Sequence, residues 1–145
     1  MMTIRRYTDG DLDGVNSLLH AERWDPLPKK LGGYGIVWEK GEDLVGFCWA
    51  LTSPESEIAY IESFVVRADH RGYGSIFLIQ RMLSDLVEMG KTRIIGCVPR
   101  GEKYSDTLAR YYQQVGGMKV SLGYFFNGNA KTMFERVASF RRRAA

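Results

Sequence analysis

Six consecutive residues, Arg71-Gly72-Tyr73-Gly74-Ser75-Ile76, have the make-up of a phosphate-binding turn. An apolar run, Ile61-Glu62-Ser63-Phe64-Val65-Val66, precedes them, and a long amphipathic segment, Phe77 to Met89, follows. A strand therefore feeds a glycine-containing turn that opens a helix. The first amide groups of a helix have no intrahelical partner and point outward, which suits an anion. Glycine lets the backbone come close to a bulky anion, because no Cβ stands in the way. Arg71 adds a fixed charge and a fork of donors. These six residues are the candidate site of a phosphate-bearing cofactor.

Glu62 is the second candidate. On strict strand alternation Tyr60, Glu62, Phe64 and Val66 share one face, while Ile61, Ser63 and Val65 share the other. A carboxylate inside an apolar strand needs a partner or water. It reads either as a base or as a structural acid paired with an arginine. His20 falls on an early helix and His70 beside the turn; His70 is within reach of a phosphate.

The remaining elements must position these groups. Thr3 to Tyr7 predicts a first strand, and Leu12, Val15, Leu18 and Leu19 predict a helix from about Asp11 to Glu22. Gly14 weakens that helix by up to ~1 kcal/mol. Trp24 to Gly33, with its prolines and glycines, predicts a loop. Tyr34 to Glu39 and Leu44 to Leu51 predict a hairpin turning at Lys40-Gly41-Glu42-Asp43, and Ile58 to Val66 a fourth strand. In the following helix Ile76, Ile79, Leu83, Leu86 and Val87 share a face, and Gly90 stops it. Arg93 to Val98 is a fifth strand. The β-α-β unit makes the fourth and fifth strands parallel neighbours. Leu108, Tyr111, Tyr112 and Val115 mark a further helix, which Gly116-Gly117 ends. Met118 to Phe126 and Ala130 to Val137 predict two last strands around a turn at Asn127-Gly128.

A chain of 145 residues with 45% hydrophobic and 26% charged residues suits one domain, 1–145, with a basic tail at 138–145. No apolar run approaches the ~20 residues that span a bilayer, and the first residues lack the h-region of a secretory signal. A cytoplasmic protein that binds no membrane is expected. The cysteines, Cys48 and Cys97, fall in strand-like runs and read as core thiols. Cysteine and histidine are too few, and wrongly spaced, for a metal site. Net charge is +3, with Arg141-Arg142-Arg143 carrying three charges of its own; this does not mark a nucleic-acid binder.

The element order, with Arg-Gly-Tyr-Gly after the fourth strand, resembles the GNAT family of acyl-CoA-dependent N-acyltransferases. Val66-Arg67-Ala68-Asp69-His70-Arg71-Gly72-Tyr73-Gly74 is similar to the family's strand, loop and pyrophosphate turn. Leu108-Ala109-Arg110-Tyr111-Tyr112-Gln113-Gln114-Val115-Gly116-Gly117 is similar to its late helix. The resemblance implies an α/β fold: a mixed, mostly antiparallel sheet of seven strands, its one parallel pair splayed around the cofactor, with helices on both faces. It implies acetyl-CoA as co-substrate, with no metal, and an N-acetyltransferase acting on a primary amine of a small molecule or protein. Phe64, Val65 and Val66 would contact pantetheine and thioester. Arg71, Gly72, Tyr73, Gly74, Ser75 and Ile76 would contact phosphates, and Ser105 the pantetheine region. Tyr112 is the implied acid, able as a phenol to protonate a departing thiolate, and Glu62 the base. Tyr111 and Tyr112 lie ~100° apart on a helix, so only one faces the cofactor. Two positions depart from the pattern: Ile76 stands where a small residue is usual, and Ser105 where asparagine is frequent. They support an alternative, a GNAT-like protein-binding module with a weakened cofactor site. Homodimers are common in the family, but the sequence specifies no interface.

Overall fold

The structure, a computed structural model, describes residues 2–97, 110, 113–114, 118–119 and 125–144. Its strands are β1 (Met2–Arg6), β2 (Tyr34–Lys40), β3 (Asp43–Leu51), β4 (Ile58–Val66), β5 (Arg93–Cys97), β6 (Met118–Lys119) and β7 (Phe125–Asn129). The described helices are α1 (Leu12–Ala21), α2 (Tyr73–Glu88) and α3 (Ala130–Ala144). The strands form one sheet in the order β1-β2-β3-β4-β5-β7-β6. Every neighbouring pair is antiparallel except β4 and β5, which run parallel. The helical crossover of α2 returns the chain to the same end of the sheet, which is the connection a parallel pair needs.

Each face of the sheet carries its own core. Ile36, Cys48, Ile61 and Val66 are covered by Leu78, Met82 and Leu86 of α2 and by Met133 and Val137 of α3. Val37, Phe47, Trp49 and Val65 are covered by Val15, Leu18 and Leu19 of α1 and by Leu27 of the loop that follows it. Gly14 has a packing reason: a Cβ there would come within 2.9 Å of the Leu44 side chain. Cys48 is fully buried, and burial pushes its thiol pKa far up, as a core thiol requires.

The first five strands are those the sequence predicts; the C-terminal part differs. Asn127-Gly128 is no turn. It lies within β7, with Asn127 opposite Ile95 and Gly128 opposite Ile94. Pairing with β5 overrides the local turn preference of Asn-Gly. The predicted strand Ala130 to Val137 is helical, and the helix runs on through 138–144, the segment expected as a tail. Ala130, Met133 and Val137 are buried at helical spacing with Phe134 packed beside them. Asn129 Oδ1 accepts from Thr132 N–H at 3.0 Å, so the residue after the expected turn is a helix cap.

Trp38 fixes the height of α2 over the sheet. Its indole is 3% exposed and lies between β3 and the first turn of α2. A Cβ on Gly46 would meet the ring at 3.1 Å, and one on Gly74 would meet it at 2.0 Å. Gly74 is therefore a packing glycine whose open side faces the indole.

At the start of the chain, Arg5 of β1 donates to both Asp11 oxygens at 2.9 and 2.7 Å and also bonds Glu39 of β2. Asp11 accepts from Thr8 N–H at 2.7 Å, part of the capping box of the short 3-10 turn Asp9–Asp11 that leads into α1. The Arg5 hydrogen bond, above all, holds the Asp11 carboxyl below the ordinary carboxylate range. A lowered folded-state pKa contributes stability above the unfolded value of 3.8, lost as pH falls through the folded value.

Two outcomes are expected in urea unfolding. Asp11→Asn is less stable than the parent at pH ~7, and the gap narrows as pH falls towards ~2; a gap independent of pH would refute the linkage. Gly74→Ala costs about 1–3 kcal/mol through overpacking. The cost shrinks in a Trp38→Phe background, and an equal cost in both backgrounds would show that the ring is not the obstacle.

Candidate active site where two strands part

β4 and β5 pair over four residues only, from Ile58 opposite Arg93 to Ile61 opposite Gly96. β4 continues to Val66, still paired with β3. Among the described residues, its edge beyond Ile61 has no strand partner on the β5 side. An amide or carbonyl left dry in such a place costs about 1–3 kcal/mol, so the edge calls for water or a ligand.

The parting coincides with a β-bulge. Trp49 pairs with Ser63 and Ala50 with Ile61, so Glu62 is an extra residue on β4. Strict alternation therefore fails here. Ile61, Phe64 and Val66 all reach the core beneath α2, while Val65 reaches the core beneath α1. Glu62 does not share a face with Phe64 and Val66, as alternation alone would have it; a bulge resets the period and re-aims a side chain. The Glu62 side chain is exposed, and no described residue pairs with its carboxylate. An arginine partner, the structural alternative, is absent among the described residues.

The opposite wall of this region is tied down on β3. Trp49 Nε1 donates to the Gly32 carbonyl at 2.6 Å, and Gly33, at φ 78°, lies so close to Ala50 that a Cβ would come within 2.2 Å of its carbonyl oxygen. The end of the 24–33 loop is thus seated at the β3 residues that flank the bulge.

The turn after β4 leads into α2. Gly72 stands at the helix N-cap with φ 91° and ψ −119°, a conformation open to glycine alone, and no atom crowds the place of its missing Cβ. Glycine here serves the backbone angle. Among the described residues no side chain caps α2, and no acid stands in its first turn, so its leading amides and the positive end of its dipole face outward. Ser75 and Ile76 N–H both lead back to the Gly72 carbonyl, at 3.1 and 3.4 Å. The Ile76 side chain packs against the core beneath α2 and so leaves the outer side of the turn clear.

Arg71 behaves differently from a free phosphate-binding cation. Its Nε donates to the Val66 carbonyl at 3.1 Å, and its guanidinium is bound to Glu22 at the end of α1. His70 sets its ring edge-on to Trp38 at 5.8 Å, with Nδ1 2.7 Å from Asp69 Oδ1. The Arg67 hydrogen bond and then His70 hold the Asp69 carboxyl far below its ordinary range. Tyr112 and Ser105 lie outside the described residues. Phe64, Val65, Val66, Arg71, Gly72, Gly74, Ser75 and Ile76 lie on one continuous path from the parted edge of β4 to the first turn of α2, with the Tyr73 backbone between them. Trp38 and Glu22 escape a reading of the sequence, because each acts from more than thirty residues away. Among the described residues no cluster of three or more His, Cys, Asp or Glu is placed to hold a metal ion, and no helix is long and apolar enough to cross a membrane.

Known proteins give a consistent comparison. Solved structures with the same fold include a putative acetyltransferase of the GNAT family from Desulfovibrio desulfuricans, 13% identical, with TM-score 0.72 over 90% of this chain and 99% of that one. The ribosomal-protein-S18-alanine N-acetyltransferase of Escherichia coli is 13% identical, with TM-score 0.69 over 89% and 91%. A GNAT family N-acetyltransferase from Escherichia coli, solved in complex with CoA, is 15% identical, with TM-score 0.62 over 91% and 84%. No curated protein matches the chain. The family model described as Acetyltransferase (GNAT) family matches residues 5–117. The strand parting, the uncapped helix and this match agree, and the chain belongs to the GNAT acetyltransferase family.

Proposed function

We propose that the protein is an acetyl-CoA-dependent N-acetyltransferase that acetylates a primary amine of a small molecule or protein. The observation that carries this reading is the coincidence of two unsatisfied backbone surfaces. Among the described residues, the edge of β4 beyond Ile61 has no strand partner on the β5 side, and residues 67–72 lead from it to a start of α2 that no side chain caps. The first surface suits an extended chain bearing amides, which adds to a sheet edge as a strand would. The second suits a diphosphate. Coenzyme A carries both groups at one end and the other of a single arm, so the residues present fit it.

Bound acetyl-CoA supplies an acyl group activated as a thioester. Phe64, Val65 and Val66 hold the pantetheine arm through their main chain, and a main-chain N–H near Phe64 polarises the thioester carbonyl. Gly72, Tyr73 and Gly74 offer the first-turn amides to the pyrophosphate, and Ser75 adds its hydroxyl. The Ser75 and Ile76 amides return to the Gly72 carbonyl and close the turn, and the Ile76 side chain stays out of the way. Glu62, exposed at the bulge, takes the proton from the acceptor amine, directly or through water. Tyr112 Oη delivers the proton that the departing thiolate needs. Ser105 keeps its assignment to the pantetheine region. A protein-binding module with a weakened cofactor site draws its sequence support from Ile76 and Ser105, and the part that rests on Ile76 weakens, since that side chain packs inward.

Thermal unfolding tests the reading. Acetyl-CoA at ~100 times its Kd adds about 2.7 kcal/mol and raises Tm by several degrees. No shift at millimolar acetyl-CoA sinks it. Given binding, Tyr112→Phe lowers turnover about 10²-fold or more with little change in acetyl-CoA affinity. Unchanged turnover would remove Tyr112 from its role.

A further inference from the structure

Glu22 ends α1, at the point where the chain leaves for the 24–33 loop. Its side chain is only 12% exposed. One carboxylate oxygen accepts from the Ala68 N–H at 3.1 Å, across a separation of 46 residues. The other accepts from the Arg71 guanidinium. Arg71 in turn holds the carbonyl of Val66, the last residue of β4. A single carboxylate thus grips both ends of the connection between β4 and α2, and Arg71 passes the grip on to the strand.

The chemistry of the grip is specific. The connection contains Gly72, whose backbone angles other residues cannot adopt, and a short turn over residues 68–70. Such a segment has little apolar burial to hold it: Ala68, Asp69, Arg71 and Gly72 are all exposed. Charge-assisted hydrogen bonds are about twice as strong as neutral ones and fix direction. The first-turn amides of α2 bind an anion only if they are aimed at it, and ordering them during binding would cost affinity.

We propose that Glu22 and Arg71 form a clasp that pre-sets the pyrophosphate turn, with Arg71 acting as a positioning residue and not as a phosphate ligand. The proposal rests on the acetyl-CoA reading and deepens it. It also ties the turn to the start of the 24–33 loop, so that the cofactor end and the loop end of the site share one anchor. Arg71 is neutralised by its partner, and attraction for the diphosphate is left to the amides and dipole of α2.

A double-mutant cycle on coenzyme A affinity, measured by titration calorimetry, separates the possibilities. Glu22→Ala and Arg71→Ala each weaken binding by a similar factor, on the order of tenfold, which is about 1.4 kcal/mol. The double variant is no weaker than either single one, because both remove the same clasp. Glu22→Gln keeps an acceptor for Ala68 and recovers part of the loss. In steady state the KM for acetyl-CoA rises while kcat at saturation stays within about twofold. Losses that add in the double variant, or binding that is unchanged or tighter in Glu22→Ala, would overturn the clasp and return Arg71 to direct phosphate contact. No coenzyme A binding by the parent chain would instead refute the acetyltransferase reading itself, so the two failures are distinguishable.

Discussion

Backbone pairing along β4 is the constraint on which the rest of the structure depends. The strand keeps its bonds to β3 from Tyr60 to Val66 but keeps β5 only as far as Ile61. The bulge at Glu62 stands where the second ladder ends. A bulge bends its strand and increases the local twist, and that is a physical reason for two parallel neighbours to diverge there. One extra residue therefore has three effects. It opens the sheet, exposes a carboxylate beside the opening, and moves Phe64 into phase with Ile61.

The opening would be of little use without a helix start placed beside it, and that placement comes from side chains far off in sequence. Trp38 of β2 sets how closely α2 approaches the sheet, through the paired vacancies at Gly46 and Gly74. Glu22 of α1 sets where the intervening turn lies. Gly72 allows the chain to enter the helix at all. The two glycines of the turn thus answer different demands, one a backbone angle and the other an aromatic ring. Both leave the outer side of the turn open.

Much of this is legible in the sequence. Strands β1 to β5 and the helices between them follow from apolar spacing and from glycine and proline punctuation. The Arg-Gly-Tyr-Gly turn, in that setting, leads to the family. What escapes is set by partners and not by local pattern. The Glu62 bulge exists only in register with Trp49 and Ala50. Residue type alone assigns Gly74 and Arg71 to the anion, while the first faces Trp38 and the second faces Glu22 and Val66. Asn127-Gly128 has strong turn chemistry, yet it is enclosed between β5 and β6. The helical spacing of Ala130, Met133 and Val137 is plain in the sequence, but the false turn before it favours a strand.

The matched family segment closes at residue 117, and β7 with α3 lies past it. Ala130, Met133 and Val137 are nonetheless members of the main core, in the same cluster as Ile94 of β5 and Leu86 of α2. Cutting the chain at the family boundary would strip β5 of its antiparallel neighbour and lay that cluster open to solvent. The unit of folding is larger than the segment the family model matches, and a fragment meant to fold must run at least through Val137 of α3.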